Sequence, residues 1–232
     1  MKRRSKRLRE ALKGIDLTKA YSPREAIEIL KAVPGVKFDQ TMELCLRLGV
    51  DPKKPDQQVR STVSLPHGTG KKAVIVVFAK GDKEREAKEA GADFVGSEEL
   101  ADKIMEGWTD FTCVVATPDM MRIVGKLGKV LGPRGLMPSP KAGTVTQDVA
   151  TAVREIKAGK IEFRVDKSGN IHTLFGKMSF SMDQLIDNFM AMMEAITKTR
   201  PSSVKGAFVK SVCISSTMGP GLKIEHQIGQ TG

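Results

Sequence analysis

Aromatic residues make up only 5% of this 232-residue chain: nine Phe, one Trp and one Tyr. Recognition by rings that stack successive nucleic-acid bases is therefore not expected to dominate. Cysteine is scarcer still. Cys45, Cys113 and Cys213 are odd in number, far apart and set in apolar or strand-like runs. That pattern excludes a disulfide framework and predicts buried thiols in a reducing compartment. His67, His172 and His226 are dispersed, and no Cys or His pairs with another at metal-ligand spacing, so no metal is expected. No apolar run is long enough to cross a bilayer, and the basic start Lys2-Arg3-Arg4-Ser5-Lys6-Arg7 has no apolar core behind it to form a secretory signal. A cytosolic protein with no membrane partner is expected.

Phosphate-gripping loops are missing too. His67-Gly68-Thr69-Gly70-Lys71-Lys72 superficially suggests one, but Leu65 stands where the first glycine belongs, Lys72 replaces the Ser or Thr, and the stretch precedes its strand. Lys80-Gly81-Asp82-Lys83 lacks the three glycines of a dinucleotide site. Nothing assembles a nucleophile with a base. A nucleotide-binding Rossmann-type enzyme is the alternative reading, and these gaps disfavour it; no cofactor and no catalytic residue are expected.

What is present is positive charge. Lys+Arg number 38 against 27 Asp+Glu, a formal +11 that suits a polyanionic partner. The length suffices for one large domain or two smaller ones. Residues 2–13 carry Leu8 and Leu12 at helical spacing beneath a basic outer face, either solvated or touching phosphate. Ser22-Pro23-Arg24-Glu25 is a capping box opening a helix to about residue 32, with Ala26, Ile27 and Leu30 inward. Residues 41–48 alternate strictly, with Met42, Leu44, Leu46 and Leu48 on one face, and Val59, Val63 and Leu65 predict a second half-buried strand pairing nearby.

After residue 70 the character changes. Apolar runs at 73–79, 93–96 and 111–116 alternate with helical patterns at 83–90, 98–106, 119–130 and 148–157, implying a parallel sheet covered on both faces. Beyond Gly159, half-covered strands return. Residues 161–165 and 171–174 flank Asp166-Lys167-Ser168-Gly169 as a hairpin; Ser181 with Gln184 caps a helix carrying Leu185, Phe189, Met193 and Ile196; strands follow at 207–216 and 222–225. The expected architecture is α/β and α+β: a discontinuous α+β domain (1–67 plus 159–232, split β-α-β-like) and an inserted Rossmann-like domain (68–158). Gly68, Gly70 and Gly159 stand at the crossings as a hinge.

If both chain ends build one sheet, Thr41, Glu43, Ser211 and Thr217 lie beside the tight turn Met218-Gly219-Pro220. Small hydroxyls and bare backbone there admit a sugar-phosphate surface, with 2′-hydroxyls to read. Phe38 and Met218 would shield those bonds, while Lys37, Arg164 and Lys167, with Asp166 in the same turn, meet the backbone. A second stretch, Leu131-Gly132-Pro133-Arg134-Gly135-Leu136-Met137-Pro138-Ser139-Pro140-Lys141-Ala142-Gly143-Thr144, interleaves Gly and Pro too closely for a helix or central strand. It predicts an ordered loop presenting Arg134, Lys141 and Thr144, either as a packed connection or as a secondary contact.

That loop, with Lys37-Phe38-Asp39-Gln40-Thr41, Leu65-Pro66-His67-Gly68, Gly159-Lys160-Ile161-Glu162-Phe163-Arg164 and Thr217-Met218-Gly219-Pro220, resembles the bacterial type of the ribosomal protein L-one family, the side-stalk proteins of the large ribosomal subunit. The resemblance spans about residues 21–224. It implies a discontinuous rRNA-binding domain with an inserted Rossmann-like one, and rRNA facing the positions of Thr217-Met218-Gly219-Pro220. It further implies assistance to deacylated tRNA leaving the exit site, and repression of translation by binding the protein's own operon mRNA. A monomer off the ribosome and a cytoplasmic location are the remaining expectations.

Overall fold

In the computed structural model, which describes residues 6–34 and 36–225, the chain begins α1 (Lys6–Ala11), β1 (Ala20–Tyr21), α2 (Pro23–Ala32), β2 (Thr41–Leu48) and β3 (Arg60–Ser64). It continues β4 (Ile75–Phe78), α3 (Asp82–Glu89), β5 (Phe94–Gly96), α4 (Glu98–Met105), β6 (Cys113–Ala116), α5 (Met121–Lys126), α6 (Gly128–Leu131) and α7 (Val149–Lys157). The last elements are β7 (Lys160–Arg164), β8 (Asn170–Lys177), α8 (Met182–Lys198), β9 (Val209–Ser216) and β10 (Gly221–Ile224). Two units result: Met1–Gly70 with Glu162–Gly232, and Lys71–Ile161. The divisions fall three residues beyond the glycine crossings read from sequence. Gly68 and Gly70 stay with the first unit because Asn188 holds the Gly68 carbonyl (3.0 Å) and Gly70 packs against Lys177 and Phe180.

The first unit is a five-stranded sheet in the order β1-β10-β9-β2-β8, antiparallel except for the β1–β10 pair. Its strands obey the alternation of the sequence. Met42, Leu44, Leu46 and Leu48 are buried on one face with Ile171, Val212 and Ile214. Helices α2 and α8 pack on the sheet: α2 through Ala26, Ile27 and Leu30, α8 through Leu185, Phe189, Met192 and Ile196. Both start in capping boxes, Ser22 with Glu25 and Ser181 with Gln184. Met192, not Met193, takes the core position. Each such aliphatic side chain contributes about 1.5–3 kcal/mol by leaving water, so truncating one costs a large fraction of a domain's net stability. The opposite face carries exposed Glu43, Arg47, His172, Ser211 and Lys223.

Three expectations are corrected here. The strand at 60–64 pairs with β7, not with β2, as a separate ribbon whose Val165 N–H donates to the Val59 carbonyl (2.9 Å). The stretches 161–165 and 171–174 do not form a hairpin ladder. Only a single bridge, Val165 to Ile171, joins them before β7 follows β3 and β8 follows β2. β8 pairs with β2 at the edge of the five-stranded sheet, while β7 is paired with β3. Third, Cys45 and Cys213 are half-buried on the outward face rather than in the core.

The second unit is a parallel sheet, β5-β4-β6, with β4 central and all four of its residues buried. Val76 and Phe78 face α4, α5 and α6, while Ile75 and Val77 face α3 and α7, which is why β4 has no polar face. The helix expected over 119–130 is broken into a 3-10 turn, α5 and α6; Gly125 and Gly128 weaken any continuous helix there. After α6 the glycine- and proline-rich loop returns to the sheet, where Val145 bridges Ala116 in parallel. The architecture is α/β joined to α+β.

Candidate nucleic-acid interface

Three segments meet at the Thr41 end of β2. Thr217 N–H donates to the Thr41 carbonyl (3.0 Å), and Thr41 N–H donates to the Thr217 hydroxyl oxygen (3.0 Å). The hydroxyl thus continues the β2–β9 ladder past its last backbone pair. Buried Gln40 accepts the Met218 N–H through Oε1 (3.0 Å). Lys177 donates to the Asp39 carbonyl and to the Thr41 hydroxyl, both at 3.1 Å, and Asp39 accepts the Ser179 N–H (3.1 Å) and hydroxyl (2.8 Å). Only glycine fits the turn itself. A Cβ on Gly219 would stand 2.2 Å from the Ser216 hydroxyl oxygen, a group that is buried and has no hydrogen-bond partner. Pro220 closes the turn and is buried.

Beside this web of bonds Phe38 is 53% exposed and Met218 48% exposed. Core packing for Phe38 is thereby excluded. Leaving two large apolar side chains in water next to satisfied polar groups forfeits burial that the free protein does not recover. Lys37 is exposed and makes no ion pair among the described residues.

The other expected residues lie elsewhere, Ser211 and Glu43 on this sheet, Arg164 on β7 of the separate ribbon, and Asp166 and Lys167 in the turn that follows it. Ser211 is opposite Arg47, not beside the glycine turn. Six residues of strand separate it from Thr217, roughly 20 Å at about 3.3 Å each. At that end Arg164, Asp166 and Lys167 line a cleft of about 590 Å³ with Arg60 and His172. Asp166 builds its own turn, accepting the N–H groups of Ser168 and Asn170 at 2.8 Å. Donation from the Asn170 N–H, chiefly, holds its carboxyl below the usual carboxylate range. Glu43, Cys45, Cys213 and Ser215 bridge the two ends on the outward face, with His172 Nδ1 3.2 Å from Cys45 Sγ. Burial raises both thiols, and the Glu43 carboxylate raises Cys45 further.

Sequence reasoning missed Lys177, Gln40 and Asp39. Lys177 meets Thr41 on the outward face only because the β2–β8 register shifts between Met42 and Glu43, whereas strict alternation from Ile171 would bury it; a buried glutamine in a loop leaves no periodic trace either. Gly68, Gly70 and Gly159 all have left-handed φ, 66°, 70° and 102°, which explains glycine at each. In the second unit, Thr144 is spent on its own loop, its hydroxyl oxygen accepting the Ser139 N–H (2.8 Å), and Arg134 is bonded to the Thr109 hydroxyl. Leu136 and Met137 pack on the core below, leaving Lys141 exposed.

Among the described residues no group of three His, Cys, Asp or Glu is placed to hold a metal ion, and no helix is long and apolar enough to cross a membrane. A basic chain with an open, hydroxyl-rich sheet face, flanked by uncovered apolar side chains, defines a binding protein suited to a polyanion. The comparison with known proteins gives that class its family. Residues 29–220 match the Ribosomal protein L1p/L10e family, and the chain belongs to it. It is 62% identical over 225 residues, 97% of this chain and 95% of the relative, to a protein of Protochlamydia amoebophila called large ribosomal subunit protein uL1. A protein of the same name from Kosmotoga olearia is 56% identical over 227 residues, 98% of each chain. Ribosomal proteins of this family are structural, not enzymatic.

Proposed function

We propose that this protein is a constituent of the large ribosomal subunit, in the cytoplasm, that holds folded rRNA of the side stalk on the outward sheet face of its first unit. The observation that carries the reading is the Thr41–Thr217 knot beside exposed Phe38 and Met218. Ligand RNA seated there removes both side chains from water while hydroxyls and bare backbone approach its sugars. Lys37 and Lys177 at this end, with Arg47, Arg164 and Lys167 at the other, supply the phosphate contacts, over a footprint of roughly 20 Å. Family membership supports two finer roles: assisting the exit of deacylated tRNA, and repressing translation of the protein's own operon mRNA through a folded surface like that of the rRNA. The glycine crossings at Gly68, Gly70 and Gly159 serve as the hinge, and exposed Arg134 and Lys141, on the loop that Thr144 pins, form a secondary contact.

The test is a polypeptide joining Met1–Gly70 directly to Glu162–Gly232, offered a side-stalk rRNA fragment and a nucleotide resin. It is expected to fold, to keep most of the parent affinity for the RNA, and to ignore the resin. Folding with much weaker RNA binding would move the primary contact to the 131–144 loop; retention on the resin by the full chain would revive the enzyme reading.

A further inference from the structure

Helix α1 lies outside the family match, which begins at residue 29. Six residues cannot hold a helix in water unaided, so its position is set by what it touches. Ala11 is buried and Leu8 and Leu12 are partly so, while Lys6, Arg9 and Lys13 are exposed and make no ion pair among the described residues. Between those faces Arg7 reaches across the sequence. Its Nη2 donates to the Met218 carbonyl (2.6 Å), 211 positions away, and its Nη1 to the Pro34 carbonyl (3.4 Å). Those carbonyls belong to the two segments that flank the Thr41–Thr217 knot.

We infer that α1 is the third wall of the RNA site. Arg7 is a positioning residue: its planar fork spans two carbonyls from different segments, which a lysine ammonium on a flexible stem cannot do with the same fixed geometry. Among the described residues no carboxylate pairs with the guanidinium, and its charge sits at the Met218 carbonyl. Lys6, Arg9 and Lys13 continue that positive surface outward and meet phosphates of RNA seated on the turn. The inference rests on the RNA reading above and adds to it a basic arm that precedes residues 29–220.

The experiment uses the full chain and a side-stalk rRNA fragment titrated with salt. In Lys6→Gln/Arg9→Gln/Lys13→Gln the slope of log affinity against log salt is expected to fall by about two to three, because each lost phosphate contact removes roughly 0.7 to 0.9. Arg7→Lys and Arg7→Ala are both expected to weaken binding several-fold; protection of the Met218 turn from amide exchange is expected to drop in each. Full rescue by Arg7→Lys would overturn the positioning role. A triple variant with the parent's slope would overturn the phosphate contacts of α1. If the parent itself fails to bind the fragment, the RNA reading fails. If the parent binds and Thr217→Val weakens it while every α1 variant behaves like the parent, only the present inference fails.

Discussion

Replacing Thr217 with Val keeps the β-branched shape and strand propensity while deleting one donor and one acceptor. In the free protein this is not silent, because the hydroxyl oxygen accepts the Thr41 N–H at 3.0 Å. Thr217 is exposed, so water can take over that donor, and the loss of stability is expected near the low end of a hydrogen bond's net worth, about 0.5 kcal/mol. In the complex water is excluded. The Thr41 N–H and the RNA group facing the hydroxyl both lose their partner, at roughly 1–3 kcal/mol, or about one to two decades of affinity. The assay is binding of a side-stalk rRNA fragment at one salt concentration, with thermal melts alongside. Thr217→Ser, which retains the hydroxyl, is expected to bind near parent strength, and Thr146→Val, in the second unit, to bind like the parent. The Thr146 hydroxyl oxygen accepts the Asp148 N–H of its own loop at 3.1 Å, and its backbone N–H, which Val retains, donates to the Ala116 carbonyl. The reasoning is refuted if Thr217→Val, folded, binds as the parent does.

Ser216→Ala removes a buried hydroxyl with no partner, so stability is expected to stay level or rise by about 1 kcal/mol. Gly219→Ala forces a methyl against that oxygen and is expected to cost about 1–3 kcal/mol, with Ser216→Ala in the same chain recovering part of it; a denaturant series on the three variants checks both. Asn188, fully buried, accepts the His67 N–H (3.0 Å) and donates to the Gly68 (3.0 Å) and Phe175 (2.9 Å) carbonyls. Asn188→Leu orphans all three and is expected to lower stability by at least about 2 kcal/mol; a melt unchanged within error contradicts it. Cys45 and Cys213 have thiols raised by burial, so the folded chain holds their protons more tightly than the unfolded one. Their contribution is full below the ordinary thiol range and lost as pH climbs through the raised values. Alkylation of the native protein is expected to lag a free thiol until well into alkaline pH, and equal rates at neutral pH would reject this.

The local elements were legible because their causes are local. A capping box at Ser22 and Glu25 starts α2 whatever lies beyond it, the alternation from Met42 to Leu48 says which face of β2 is buried, and the unbroken apolar run of β4 says that both faces are. The motifs also carried the family, with Thr217-Met218-Gly219-Pro220 and the 131–144 loop the most specific of them. Periodicity does not say which strand lies beside which. Partner choice is made by contacts over long separations, so β7 went to β3 while β8 took the edge beside β2, and register set Ser211 opposite Arg47 instead of at the glycine turn. The same reason hides Lys177 against Asp39 and Arg7 against Met218. Each is a polar contact more than 130 residues apart in sequence, and neither exists until the chain ends have folded onto one sheet.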